Sequence, residues 1–225
     1  ELLADIFPAG VVNIVCGRGD SIGQSLVEHD AVKMVSVTGD ISTGQKILST
    51  ASKTVKRTHL ELGGKAPVIV FDDADVDKAV DAVRCFGFYN AGQDCTAACR
   101  IYAHASIHDA FVEKLAAAVA TIKFGSQDEE DVEIGPLISA RQQGHVASFV
   151  ERALSTGHME AITGGQMGDG DGFFYQPTVI AGAKHNDEIV CREVFGPVVS
   201  VTKFDDDNQV IEWANDSKYG LASSI

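Results

Sequence analysis

The sequence predicts an α/β fold built on a parallel sheet, and three features carry that expectation. Short runs such as VVNIV (residues 11–15), VKMVSV (32–37) and APVIVF (66–71) are almost continuously apolar, as in strands covered on both faces. Segments with helical spacing of apolar residues lie between such runs, which is the order of a strand–helix–strand unit. Glycines crowd the first strand-to-helix junction, GRGDSIG, with Gly17, Gly19 and Gly23.

The chain of 225 residues holds one large domain or two modest ones and is long enough to bury a core. Its 32 acidic and 18 basic residues give a formal net charge of -14. With no basic stripe, binding to nucleic acid through the phosphate backbone is not expected. No apolar run approaches the length that spans a bilayer, so no membrane insertion is expected. The five cysteines, at 16, 85, 95, 99 and 191, form no CxxC, so neither a zinc ribbon nor a disulfide framework is expected, and a reducing cytoplasmic compartment fits best. The chain opens within an apolar helical stretch, ELLADIF, and stops at YGLASSI. It therefore reads as an internal piece of a longer protein.

The elements follow in order. Glu1 to Phe7 reads as a helix tail stopped by Pro8 and Gly10. VVNIV is a strand, the glycine turn follows, and residues 21–28 are helical. Absent side chains at Gly17 and Gly19 let backbone N–H groups approach a phosphate, although Gly23 arrives one residue late for the dinucleotide fingerprint. VKMVSV is the next strand. TGDISTG (38–44) then opens a second helix, where Asp40 is either its N-cap or an acid for a ribose diol. RTHLELGG is a half-buried strand that breaks at Gly63 and Gly64. It leaves Glu61 at its C-terminal end, where open α/β sheets carry functional groups.

APVIVF starts a second lobe. Asp75 caps a helix from Val76 to about Phe88, and the turn Asn90–Gln93 interrupts it. A helix starting at Cys95 would place the thiol in its first turn, where backbone donors lower a thiol pKa. Residues 100–103 read as a strand, 107–122 and 139–155 as helices, and GGQMGDGDG as an unpacked loop. FFYQPTVIAG and PVVSVTKF read as strands and 207–216 as a short helix with Trp213 inward. LASSI starts a further strand. No His, Cys or carboxylate cluster has metal-ligand spacing, so no metal is expected. A thiol such as Cys95 can attack a carbonyl carbon and a carboxylate such as Glu61 can activate water against the adduct; ordinary packing for the thiol and a hydrogen-bonded edge position for the carboxylate are the alternative readings. Glu193, two residues before Phe195 in EVFGP, belongs either to an ordinary loop-to-strand transition or to a site where it holds a sugar diol beside a flat ring.

Taken together, VVNIVCGRG, TGDISTG, ELGGKAPVIVFDDAD, NAGQDC, GPLI, EVFGPV and YGLASS resemble the aldehyde dehydrogenase superfamily in order and spacing over essentially the whole chain. The texture of NAGQDCTAACRIYA is most similar to the γ-aminobutyraldehyde dehydrogenases, with betaine-aldehyde enzymes as relatives. The resemblance implies a partial Rossmann-type NAD-binding domain, residues 1–63, followed by most of an α/β catalytic domain, residues 64–225. It makes Cys95 the nucleophile and Glu61 the general base. It puts Gly17, Gly19, Gly39, Asp40, Leu62, Glu193 and Phe195 beside the cofactor, NAD with NADP as alternative. The implied reaction is oxidation of a small aldehyde, an ω-aminoaldehyde such as 4-aminobutanal, through a cysteine thiohemiacetal and thioester. Betaine aldehyde or a semialdehyde is the alternative substrate, and a cofactor-independent Cys/Glu hydrolase the alternative enzyme. A full-length homodimer or homotetramer is also implied. One departure stands out: Asp40 occupies a position where the family commonly has Ser, which puts a carboxylate near the pyrophosphate.

Overall fold

The computed structural model describes residues 2–225, and Glu1, at the start of the expected helix tail, lies outside them. The chain divides into two compact units, residues 1–62 and 63–225.

In the first unit a short 3-10 turn, Leu2–Asp5, precedes an irregular stretch. VVNIV is not a strand: Val11, Val12, Ile14 and Val15 are exposed. A strand exists by pairing its backbone groups, and among the described residues nothing pairs with this run. A π-helical turn at Gly19–Gly23 leads into α1, Gln24–Glu28. Strand β1 (Met34–Thr38) pairs in parallel with β2 (Arg57–Glu61), and α2 (Ile41–Ser52) forms the crossover between them. Register pairs Thr38 with Glu61, so both strands end together. The loop after β1 is fastened there, because Gly39 N–H donates to the Glu61 carbonyl at 3.0 Å.

The second unit is a five-stranded sheet in the order β3-β4-β7-β6-β5. Its strands are β3 (Pro67–Val70), β4 (Arg100–His104), β5 (Glu160–Thr163), β6 (Thr178–Ala183) and β7 (Val198–Phe204). All neighbours are parallel except β5 against β6. The expected strand at LASSI is reduced to a bridge of Ser224 to Val68 at the β3 edge. Central strands β4 and β7 are buried almost throughout, as strands covered on both faces are, even though they carry Arg100, Ser200 and Thr202.

Helix α3 (Val76–Phe88) starts where Asp75 accepts the Lys78 N–H. Helix α4 (His108–Ala120) buries Phe111, Val112, Leu115, Ala116 and Val119, a stripe at helical spacing. Helix α5 (Ala140–Ser155) is capped by Ser139 and buries Val146, Ala147, Phe149, Val150 and Ala153. The short α6 (Glu188–Cys191) and α7 (Asp207–Asn215) complete the unit. The hydrophobic core lies wholly in this unit, around Tyr102, Phe88, Phe111, Phe149 and Phe204. Among the described residues, no helix is long and apolar enough to cross a membrane.

The sheet order decides what meets. Strands β3, β4 and β7 are adjacent and parallel, so the three segments that lead into them share one edge of the sheet. Those segments carry Gly63–Gly64, Cys95 and Glu193–Phe195.

Candidate active site

Helix α3 ends at Phe88 and the chain reverses through three consecutive left-handed residues, Asn90 (φ 51), Ala91 (φ 55) and Gly92 (φ 67). For Asn and Ala that conformation costs on the order of 1 kcal/mol each. It is held from several sides. Ala91 is buried, Asn90 Nδ2 donates to the Gln93 carbonyl at 2.9 Å, and Gln93 Nε2 donates to the Asn90 carbonyl at 3.2 Å. Gly92 lies so close to the Gly196 carbonyl that a Cβ would collide with it. Glycine is required there for both reasons.

Cys95 then sits, half-buried, in a tight turn rather than at a helix start. Asp94 Oδ1 accepts the Thr96 N–H and the Thr96 hydroxyl, each at 2.8 Å, and Ala97 N–H donates to the Asp94 carbonyl at 3.2 Å. Only Ala97–Cys99 separate this turn from β4, too few residues for a helix. The expected helix dipole behind the thiol is therefore absent. Asp94, beside the nucleophile in sequence, serves as the turn's side-chain acceptor.

Opposite this turn lies the glycine pair that follows β2 in sequence. A Cβ on Gly64 would collide with the Cys95 carbonyl oxygen, and one on Gly63 with the Glu193 carboxylate. Gly64 N–H donates to Glu193 Oε1 at 2.9 Å. One peptide thus spaces the nucleophile turn from the carboxylate. Sequence reading treated Gly63 and Gly64 only as a strand break; two adjacent glycines directly after a strand were the available signal.

Glu193 N–H also donates to the Tyr219 hydroxyl at 3.3 Å, which gives the YGLASS segment a local role. Phe195 adopts a left-handed backbone (φ 53) with its ring partly exposed. Gln142 Nε2, in the first turn of α5, donates to the Val194 carbonyl at 3.2 Å and the Phe195 carbonyl at 2.8 Å. Arg100, buried at the start of β4, was also missed. Its guanidinium donates to the carbonyls of Lys65, Trp213 and Ala214 and to the Tyr102 hydroxyl.

The remaining predicted positions lie in the first unit. Glu61 ends β2 with its carboxylate about half exposed and 3.3 Å from His59 Nε2. Leu62 packs its side chain over Gly44. Asp40 is the N-cap of α2: Oδ1 accepts the Thr43 N–H and the Ser42 hydroxyl, both at 2.7 Å. These bonds, the Ser42 hydroxyl first and the Thr43 N–H second, hold its pKa below the usual carboxylate value, so it is ionised at neutral pH. Gly39 precedes it with ordinary room for a side chain, Gly17 is closed over by Ile22, and Gly19 is open. Among the described residues no group of His, Cys, Asp and Glu is arranged to hold a metal. His158 pairs with Asp187, and His185 with Asp216 and Tyr102.

A dinucleotide offers a ribose diol, a flat ring and two phosphates. Glu193 is an oriented acceptor for a diol, and a carboxylate can accept several hydrogen bonds, so the Gly64 bond orients it without exhausting it. Phe195 supplies an exposed ring. An ionised Asp40 at the N-terminus of α2 disfavours a phosphate at that spot. The diol and ring therefore fit the residues present, and the phosphate fits less well at Asp40.

The sequence profile of the aldehyde dehydrogenase family matches residues 1–225. Lactaldehyde dehydrogenase of Escherichia coli (strain K12) is 44% identical over 219 residues, covering 97% of this chain and 46% of that protein. Betaine aldehyde dehydrogenase of Mesorhizobium japonicum is 40% identical over 231 residues, covering 99% and 47%. Among solved structures, an aldehyde dehydrogenase from Bacillus cereus superposes with a TM-score of 0.94 at 37% identity, covering 97% of this chain and 44% of that one. Betaine aldehyde dehydrogenase from Staphylococcus aureus in complex with NAD+ gives 0.92 at 41% identity, covering 96% and 44%. The chain spans a little under half the length of the curated relatives it matches.

Proposed function

The chain belongs to the aldehyde dehydrogenase family, and on that premise we propose that the whole protein oxidises an aldehyde to a carboxylate with NAD, NADP being the alternative cofactor. The observation that carries this reading is the junction at Gly64, whose N–H orients Glu193 while its α-carbon abuts the Cys95 carbonyl. A nucleophile and a diol acceptor are thereby held one peptide apart. Residues 1–63 are assigned to the later half of the NAD-binding domain and 64–225 to the catalytic domain.

Cys95 attacks the aldehyde carbon as the thiolate, forming a C–S bond and leaving negative charge on the oxygen. No helix start activates this thiol, so its proton is assigned to Glu61 as base. The Cys95 N–H is assigned half of an oxyanion hole. Bound NAD supplies the acceptor for the hydride that leaves the thiohemiacetal carbon. Glu61 first loses the thiol's proton to solvent; the thioester on Cys95 is then hydrolysed by water whose proton Glu61 takes in turn, and the departing thiolate is reprotonated, returning the free thiol and the carboxylate product. Glu193 orients the cofactor ribose, and Phe195 flanks the nicotinamide. Gly17, Gly19, Gly39 and Leu62 offer backbone near the rest of the cofactor, with Asp40 at the pyrophosphate.

For substrate, the reading is a cationic aldehyde, 4-aminobutanal or betaine aldehyde. Support comes from the betaine aldehyde relatives. A neutral hydroxyaldehyde is the competing class, since another relative is a lactaldehyde dehydrogenase. A cytoplasmic homodimer or homotetramer is proposed for the full-length protein.

The test uses that full-length protein with NAD+ and each of 4-aminobutanal, betaine aldehyde and lactaldehyde, following reduced cofactor by absorbance. A higher kcat/KM for lactaldehyde than for both cationic aldehydes rejects the cationic reading. Hydrolysis of an activated ester such as p-nitrophenyl acetate, together with no NAD+ reduction on any aldehyde, selects the Cys/Glu hydrolase instead. Cys95→Ala is expected to abolish turnover while NAD+ still binds, and normal turnover in that variant removes Cys95 from its role.

A further inference from the structure

Two loops meet at the candidate site, the nucleophile turn (90–95) and the Glu193–Phe195 loop, and both are fastened to the same third element. Gln93 Oε1 accepts the Ile138 N–H at 2.9 Å, immediately before the Ser139 cap of α5. One turn later Gln142 Nε2 donates to the Val194 and Phe195 carbonyls. Further along α5, Val146 closes over Gly196, where no Cβ would fit, and Gly196 in turn abuts Gly92. Each loop contains left-handed non-glycine residues, Asn90 and Ala91 in one and Phe195 in the other. Such residues persist only where surrounding structure over-determines them.

We infer that the N-terminal end of α5, from Ile138 ahead of its cap to Gln142 in its first turn, is a shared clamp setting the spacing between the nucleophile turn and the cofactor-side loop, with Gln142 and Gln93 as its two positioning residues. Gln142 touches neither reacting atoms nor the nucleophile. It acts through two backbone carbonyls that flank the left-handed Phe195, and so fixes where Glu193 and the Phe195 ring face. Gln93 does the same for the turn ahead of Cys95. The amide suits both tasks: Gln93 donates to the Asn90 carbonyl and accepts from Ile138, and Gln142 uses the two hydrogens of its Nε2 for two carbonyls. Apolar residues of the same length at these positions keep the packing and lose the clamp. The inference rests on the proposed cofactor role of Glu193.

Helix α5 carries its own control. Gln143, the next residue, donates through Nε2 to the Phe174 carbonyl at 2.8 Å, a hydrogen bond of the same kind directed away from both loops. In the full-length protein, Gln142→Met is expected to weaken NAD+ binding, measured by calorimetry, about 10-fold, the worth of one or two hydrogen bonds. It should also lower kcat, by up to roughly 100-fold if the reacting groups shift by an ångström, while the aldehyde KM changes little. Gln143→Met should show a similar loss of melting temperature with NAD+ affinity and kcat unchanged. Equal effects of the two substitutions on NAD+ affinity would overturn the clamp, because a general loss of helix stability would then explain both. Should Gln142→Met fail to fold, Gln142→Glu keeps the shape and replaces the donor by an acceptor facing two carbonyls, with the same expected outcome. Glu193→Gln separates the two ideas. If it weakens NAD+ binding and Gln142→Met does not, the clamp falls alone; if Glu193→Gln leaves NAD+ binding unchanged, the cofactor reading falls and the clamp with it.

Discussion

At the residue scale the site is governed by what is missing or committed. Gly63 and Gly64 have no side chains because the Glu193 carboxylate and the Cys95 carbonyl occupy that space. Asp94 stands next to the nucleophile but spends its carboxylate on Thr96. Asp40 is the residue where two demands conflict: it caps α2 and stays ionised, yet the proposed pyrophosphate is anionic too. Its pKa is lowered, so its contribution to stability is present above the ordinary carboxylate value and is lost only as pH falls through the lower folded one. Acid near neutrality therefore does not relieve the repulsion. Serine caps helices about as well as aspartate. Asp40→Ser should thus leave thermal stability nearly unchanged and tighten NAD+ binding roughly threefold at low salt, the scale of one exposed charge interaction. The gain should shrink as salt is added. Calorimetric titration at two ionic strengths checks it, and unchanged affinity would place Asp40 away from the phosphates.

At the element scale, helices were more legible than their neighbours. The cap Asp75 and the stripe in α4 could be read directly, because each depends on residues within a few positions; the Ser139 cap of α5 emerged only from the structure. Two expectations failed for the opposite reason. VVNIV has strand composition but no partner among the described residues, and pairing is not a local property. The segment after Cys95 has helical composition, yet β4 starts at Arg100 and leaves no room. Helix α5 also carries a titrating group. His145 has its pKa lowered, first by burial and then by the cations of Arg192 and Arg152; Glu188 and a hydrogen bond to the Glu193 backbone act in the opposite direction. The unfolded chain binds the proton at higher pH than the folded one. Stability should therefore fall as pH drops from neutral through the ordinary histidine pKa toward the depressed one, and level off below it. Melting temperature followed across that window should show a slope that is reduced in His145→Gln; an identical slope in both proteins would assign it to other groups.

At the scale of the whole molecule, the two units differ in how they are held. The core cluster belongs to residues 63–225, whereas the first unit buries only Val27 and Ala51 among its described apolar side chains. In the second unit Arg100 joins two distant segments, the Lys65 carbonyl and the end of α7 at Trp213 and Ala214, to Tyr102 in its own strand. Cation against the C-terminal carbonyls of α7 is also favourable to the helix dipole. Arg100→Met leaves these buried acceptors unmatched and is expected to cost about 3 kcal/mol, read from denaturant unfolding of the full-length protein. A loss comparable to an exposed substitution would show that the carbonyls find other donors.

What the sequence alone determined is the α/β class and, through the resemblance of its motifs, the family; Cys95, Glu61 and Glu193 stand in it as candidate chemical groups. The α/β class follows from residue types and spacing in short windows, where composition and neighbouring positions carry the information. Tertiary structure decided how the second unit's groups come together. Because β3, β4 and β7 lie side by side and parallel, three segments separated by up to 129 residues meet at one edge, and a Gly64 N–H reaches Glu193. Strand order is a property of the whole sheet, set by which apolar faces can be buried together. No window around NAGQDC contains that order, and so the turn at Cys95, its glycine wall and its clamp by α5 became visible only in the folded chain.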